Sequence, residues 1–435
     1  MGSLVPIVAN QVVALLLGVV GMKLISHFVP PAVNGAYALF LTLAQLGVML
    51  SHSGIINYAL RCWQREQDQA GAFVRFLGSS SLRATAWLVP LLAGAGVVVA
   101  VRTGESTWLW LMPALLLGNV ANAGLGVAVG LLGAGRRQWG VLVLNSVAGA
   151  ARIGLPIGLV VLTHASFLVL GLGYAAHALV TIGAVVAWFG WAWAAAPAGG
   201  ERLGAWGKEL RDYGRPFALV GIGAWLLQSA DRWVVAQFFG SAPAGLFAFA
   251  SSIGTIVPTF AVGSLMPVVF PGVFRAADQA RSRGDWRRIA RQCDQITGIL
   301  LILAVVGLLA AWAIAPHLVG PLIAPAYRDS VVMIVPAGLA ALAAQVNQFN
   351  YMLLQGQHKS MDMVRVMFAV AGVKTLGSVI AAAWSWPIFL SWLVLSPVVC
   401  GWLGRTLIRR YALGPAGGTA ITEAGISDRT GDPPG

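Results

Sequence analysis

Five ionisable side chains stand inside stretches that otherwise read as oil-soluble: Lys23, Arg152, Asp231, Arg232 and Lys374. Two of them are adjacent, within "QSADRWVVAQFFGSAPAGLFAFA" (Gln228–Ala250). A charge at the centre of a bilayer costs about 2.5–3.5 kcal/mol on insertion scales, so such residues line a wet cavity or pair with one another. Four cations against one acid give the membrane interior a net positive charge, which suits the holding of an anion. Asp231 has a second reading. Neighbours on a helix point about 100° apart, so it need not pair with Arg232 and could reach Lys23 or Lys374 as a packing pair. Amides accompany the charges: Asn122, Asn145, Gln345 and Asn350, with Asn10, Gln45, Gln228 and Gln348 nearby. Amides in a membrane bridge helices, and in a cavity they also suit sugar hydroxyls.

Catalytic chemistry has no such footing. No carboxylate pair lies within an apolar stretch, no His/Asp/Glu cluster has metal-ligand spacing, and no glycine-rich phosphate loop follows a strand. Cys62, Cys293 and Cys400 are far apart and form no CxxC. The expectation is a protein that is not an enzyme, with no catalytic residues, no metal and no cofactor; coupling to H+ or Na+ stays open.

The elements that must position these residues are membrane helices. Hydrophobic residues make up 58% of the 435-residue chain and charged residues 10%, with a mean hydropathy of +0.79. A soluble domain carries about a quarter charged residues. Apolar runs of about eighteen residues or more, each long enough to span a bilayer, recur throughout. They predict twelve helices near 4–28, 34–60, 79–101, 108–133, 140–162, 167–194, 214–239, 245–272, 293–315, 331–354, 364–383 and 388–408. The first is read as a span retained in the protein. The net charge of +13 sits in the connections, so membrane lipids rather than nucleic acid are the expected partners.

Orientation follows the positive-inside rule. With the N-terminus in the cytoplasm, 22 of the 28 Lys and Arg fall in cytoplasmic connections, two (Arg102 and Arg328) fall outside, and four lie within spans. Both termini are therefore expected in the cytoplasm.

A shift of 210 residues lays "LISHFVPPAVNGAYALF" (Leu24–Phe40) over "VVAQFFGSAPAGLFAFA" (Val234–Ala250), matching Gly35 with Gly245. A shift of 222 lays "LLGAGRR" (Leu131–Arg137) over "LLQGQHK" (Leu353–Lys359). The chain reads as an all-α polytopic membrane protein of two pseudo-symmetric six-helix bundles. Residues 1–196 form the first bundle, 197–213 a cytoplasmic linker, 214–411 the second bundle and 412–435 a disordered cytoplasmic tail. Lys23 and Arg232 fall on equivalent spans 1 and 7, Arg152 and Lys374 on equivalent spans 5 and 11. Transporters bind at such a repeat interface.

The motifs around those spans carry a family resemblance. "SHFVPPAVNGAYALFLTLAQLG" resembles the R-x-L-G-x-x-x-(Y/F)-G-x-(Y/F) turn of polysaccharide-lipid flippases, with His27 where an Arg is common. "DRWVVAQFFGSAPAGLFAFASSI" resembles their span 7–8 signature, and "LLQGQHK" the end of their span 10. The chain looks like a Wzx-type O-antigen or exopolysaccharide flippase of the multidrug/oligosaccharidyl-lipid/polysaccharide (MOP) superfamily, with a MATE-like arrangement of helices. The resemblance implies a bacterial inner-membrane protein that moves an undecaprenyl-diphosphate-linked oligosaccharide outward by alternating access, with a polysaccharide polymerase as a further partner. It implies that Lys23, Arg152, Arg232 and Lys374, with Asp231 and the amides, line a cationic cavity that meets the glycolipid head. Two rivals share the superfamily. A MATE-like cation-coupled multidrug exporter would call for intramembrane acids, and a lipid II flippase would be essential for viability. A membrane-embedded glycosyltransferase or polymerase would call for catalytic acids and long outer loops.

Overall fold

A computed structural model describes residues 4–190, 192, 200–280, 282–319, 321–357 and 359–414. Spans 1 to 6 are Leu4–Phe28, Pro31–Cys62, Ala70–Thr103, Met112–Ala134, Gln138–Leu162 and Phe167–Phe189. Span 7 is Gly200–Phe239. Span 8 is Ser241–Gly254 and, after a break at Thr255, Ile256–Gln279. Span 9 is Arg283–Leu318. Span 10 is Ile334–Gln345 and Gln348–Gly356, interrupted at Val346 and Asn347. Spans 11 and 12 are Ser360–Trp384 and Trp386–Leu413. The breaks in spans 8 and 10 have no counterpart in spans 2 and 4.

Local chemistry sets several helix starts. Pro31 opens span 2, where its fixed φ and missing N–H suit the first turn. Ser166 caps span 6 by accepting from the Val169 N–H at 3.2 Å. Ser282 and Asp285 form a capping box at the head of span 9. Gly240, at φ +94°, allows the sharp turn from span 7 into span 8.

Eleven segments among the described residues are long and apolar enough to cross a membrane. Span 7 completes the twelve, its hydropathy lowered by Gln228, Asp231 and Arg232. The outer surface is apolar: Trp87 is 83% exposed and Leu162 80%, as lipid-facing positions are. The chain is a multi-pass membrane protein.

Packing repeats every six spans. Spans 1 and 5, 2 and 3, 2 and 4, 4 and 6, and 5 and 6 are neighbours, and so are 7 and 11, 8 and 9, 8 and 10, 10 and 12, and 11 and 12. The two lobes meet mainly through span 2 against spans 7 and 8, with a sparser contact of span 1 on span 8. The ends of the molecule are distinguished by their connections, one carrying most of the arginines (the basic end) and the other few.

The expected linker is corrected in part. Residues 200–213 form the first turns of the span 7 helix. They pack on the first lobe, where buried Trp206 meets Phe73 and Phe76 edge-on or tilted, with centroids 5.2 and 5.5 Å away. An amphipathic segment with a Trp to bury gains more by continuing the helix across that core than by forming an open connection. Of the expected tail, 412–435, Ala412 and Leu413 still belong to the span 12 helix, and residues 415–435 lie outside the described residues.

Candidate functional site

The adjacent Asp231 and Arg232 point in different directions on span 7. Asp231 faces into the second lobe, where its Oδ2 forms a salt bridge with Lys374 Nζ of span 11. Its Oδ1 accepts from Ser378 Oγ at 2.7 Å. Lys374, 1% exposed, also donates to the Leu227 carbonyl at 2.7 Å. Trp392 Nε1 on span 12 lies 3.2 Å from both the Lys374 carbonyl and Ser378 Oγ. Leu227 with Asp231, and Lys374 with Ser378, are each four residues apart and so share one helix face. Lys374 and Asp231, expected in the central cavity, instead cancel within the lobe, because span 11 turns its Lys toward span 7.

Arg232, about 100° further round the helix, faces the other lobe. It lines a cavity of about 390 Å³ with Arg152 of span 5, Tyr37 and Gln45 of span 2, Asn122 of span 4 and Tyr174 of span 6. Phe249 and Ser252 of span 8 close the far wall. Arg152 is exposed and Arg232 half-buried. Each lies within electrostatic range of the other, and Arg152 also acts on Tyr37, Tyr174 and His177. Among the described residues neither guanidinium has a hydrogen bond or a salt bridge, and the one acid acting on Arg232 is the neighbouring Asp231, itself bridged to Lys374. Asn122 donates to the Tyr174 hydroxyl at 2.9 Å and to the Gly118 carbonyl at 2.8 Å, which fixes both side chains on the cavity wall.

The remaining candidates do not converge there. Lys23 is exposed on span 1, beside the lining residues Met22 and Ile25. Asn145 donates to Asn10 Oδ1 at 3.1 Å, bridging spans 5 and 1. Gln345 reaches Thr259 Oγ1 at 3.4 Å, joining spans 10 and 8 beside their breaks. Asn350 is buried at 4% exposure inside the second lobe. The sequence did not single out Tyr174, which sits in a plain apolar run, or Tyr37.

A larger cavity of about 970 Å³ opens at the basic end, between span 2 of the first lobe and spans 7, 8, 10 and 11. Beside it an ion network ties span 7 to the first lobe. Arg65 bonds Glu66 at 2.8 Å and Glu209 at 2.6 Å, and Arg202 bonds Glu66 at 2.6 Å. The opposite end is sealed. Asn34 donates to the Gly245 carbonyl at 3.0 Å and the Tyr327 hydroxyl to the Val29 carbonyl at 2.8 Å, while Ser26 engages Leu322 and Ala324.

No family model and no curated protein matches the sequence. Solved structures do. An inward-facing multidrug resistance MATE family transporter of the MOP superfamily aligns over 96% of this chain and 100% of its own, with TM-score 0.61 and 15% identity. MATE in the straight conformation aligns over 93% and 94%, with TM-score 0.60 and 16% identity. The MATE multidrug transporter DinF-BH aligns over 94% and 95%, with TM-score 0.61 and 15% identity. The fold is MATE-like.

Proposed function

We propose that this chain is a flippase that carries an undecaprenyl-diphosphate-linked oligosaccharide from the cytoplasmic to the outer leaflet by alternating access. The observation that supports it is the Arg152–Arg232 pair, two cations without a salt bridge in a cavity shared by both lobes. Like charges held near one another repel, and a diphosphate relieves both through charge-assisted hydrogen bonds. The sugar head cannot cross hydrocarbon unaided, because each unsatisfied polar group there costs several kcal/mol. On this reading the basic end is cytoplasmic. The present conformation, closed at the other end, receives the head from that side, while the prenyl chain stays in lipid. Rocking of the two lobes then exposes the cavity outward.

Arg152→Ala and Arg232→Ala, each at matched protein level in a strain lacking the native gene, are expected to lower surface polysaccharide at least tenfold. Full activity in both overturns the reading.

Export of cationic drugs has the likeness to MATE transporters behind it. Against it stands Asp231, already neutralised by Lys374. A drug-resistance phenotype on deletion, with unchanged surface polysaccharide, favours the exporter. Loss of viability on depletion favours lipid II as the cargo.

A further inference from the structure

We propose that the larger cavity at the basic end is a subsite for the neutral sugar portion of the cargo, separate from the arginine pair that takes its phosphates; this rests on the flippase reading above. Its volume of about 970 Å³ lies at the upper end of the roughly 300–1,000 Å³ of small-molecule sites. Its polar wall differs in kind from that of the smaller cavity. Its acids and arginines balance, Arg61 and Arg65 against Glu209 and Asp212, whereas the smaller cavity has two arginines and no acid. Arg65 and Glu209 are committed to each other. Arg61 lies over the Tyr213 ring, 4.7 Å from its centroid.

What remains is hydrogen-bonding capacity without net charge. Asp212 is exposed and has no hydrogen-bond or ion-pair partner among the described residues; its carboxylate takes two O–H donors. Gln348, exposed where span 10 resumes after its break, is likewise unpartnered there and offers both a donor and an acceptor. Asn57 commits its N–H to the Ser53 carbonyl at 2.8 Å and keeps its Oδ1 as an acceptor. Tyr213 and Phe217, with ring centroids 5.0 Å apart, give an apolar wall. Sugars need this combination, acceptors and donors for the hydroxyls and an apolar face for the C–H side. A diphosphate is drawn instead to the two guanidiniums that no salt bridge holds. The contrast in charge between the chambers thus sorts the cargo by its parts.

The test uses the full chain in lipid nanodiscs and two probes. One is sugar-free undecaprenyl diphosphate; the other is the intact undecaprenyl-diphosphate-linked oligosaccharide extracted from cells that carry the gene. The sugar-bearing probe is expected to bind the wild-type protein at least tenfold more tightly. Asp212→Ala and Gln348→Ala alter exposed positions, so folding is preserved. Each is expected to remove about tenfold of that gain, the loss of one hydrogen bond to a charged group or its equivalent, with sugar-free binding unchanged. Arg152→Ala and Arg232→Ala are expected to weaken both probes. Equal affinity of the two probes for the wild type, or an intact sugar gain in both exposed-site variants, overturns the sugar subsite and leaves the arginine reading standing. Failure of both probes to bind overturns the flippase reading and the subsite with it.

Discussion

Gly35 and Gly245, 210 positions apart, pack reciprocally at the sealed end of the molecule. A methyl group on Gly35 would overlap the Ser241 carbonyl oxygen, and one on Gly245 would overlap the Pro31 carbonyl oxygen. Pro31 and Ser241 are themselves 210 apart, so the contact has the reciprocity of a two-fold axis. The repeat seen in the sequence is here a physical seal, in which two helix backbones approach because neither carries a side chain.

Gly245→Ala is therefore expected to open that end. Overpacking a tight contact costs about 1–3 kcal/mol, enough to raise the open population roughly 5- to 150-fold. Labelling of Ser252→Cys, in the smaller cavity, by an impermeant thiol reagent added on the sealed side reads this directly. An unchanged labelling rate would show that the helices part without cost.

The Asp231–Lys374 bridge predicts a marked non-additivity. Removing one partner of a buried pair leaves an uncompensated charge, at about 3–5 kcal/mol. Lys374→Met is thus expected to lower thermal stability far more than the Asp231→Asn, Lys374→Met double variant does. Additive losses in a double-mutant cycle would mean that the two groups do not depend on each other.

On the proposed function, the arginine pair predicts stabilisation by diphosphate. Inorganic diphosphate at about a hundredfold over its dissociation constant adds about 2.7 kcal/mol to a protein that binds it only when folded. A melting point that rises with diphosphate in the wild type, and stays flat in Arg152→Ala and Arg232→Ala, is the expected result. An equal rise in all three proteins would place the anion elsewhere.

Glu66 predicts an acid-side loss of the clasp between span 7 and the first lobe. Burial pushes its carboxyl up, but the Arg202 and Arg65 guanidiniums outweigh that and hold it below the ordinary 4.5. A carboxyl depressed on folding stabilises the protein above its unfolded value and loses that contribution as pH falls through the folded one. Wild type is expected to exceed Glu66→Gln by about 1–3 kcal/mol from pH 6 to 8, and the gap is expected to close below about 4.5. A gap that persists undiminished under acid would assign the effect to packing.

The twelve spans, the six-and-six repeat and the crowding of arginines at one end were legible along the chain, because hydropathy and the positive-inside bias are sums over neighbouring residues. Span 7 shows the limit of that. Its leading turns looked like a linker because they are polar on one side, and only the first lobe's core around Phe73 and Phe76 makes burial of Trp206 worth a continued helix.

Which cations share a cavity was not legible. By repeat position Arg152 and Lys374 are counterparts, as are Lys23 and Arg232. The tertiary structure treats each pair unequally, placing Arg152 and Arg232 in the cavity, Lys374 on Asp231 and Lys23 at the exposed face of span 1. Composition decides that a charged residue lies in a span. The direction it points depends on the rotation of each helix, about 100° per residue, and that rotation is set by contacts with helices far away in the chain.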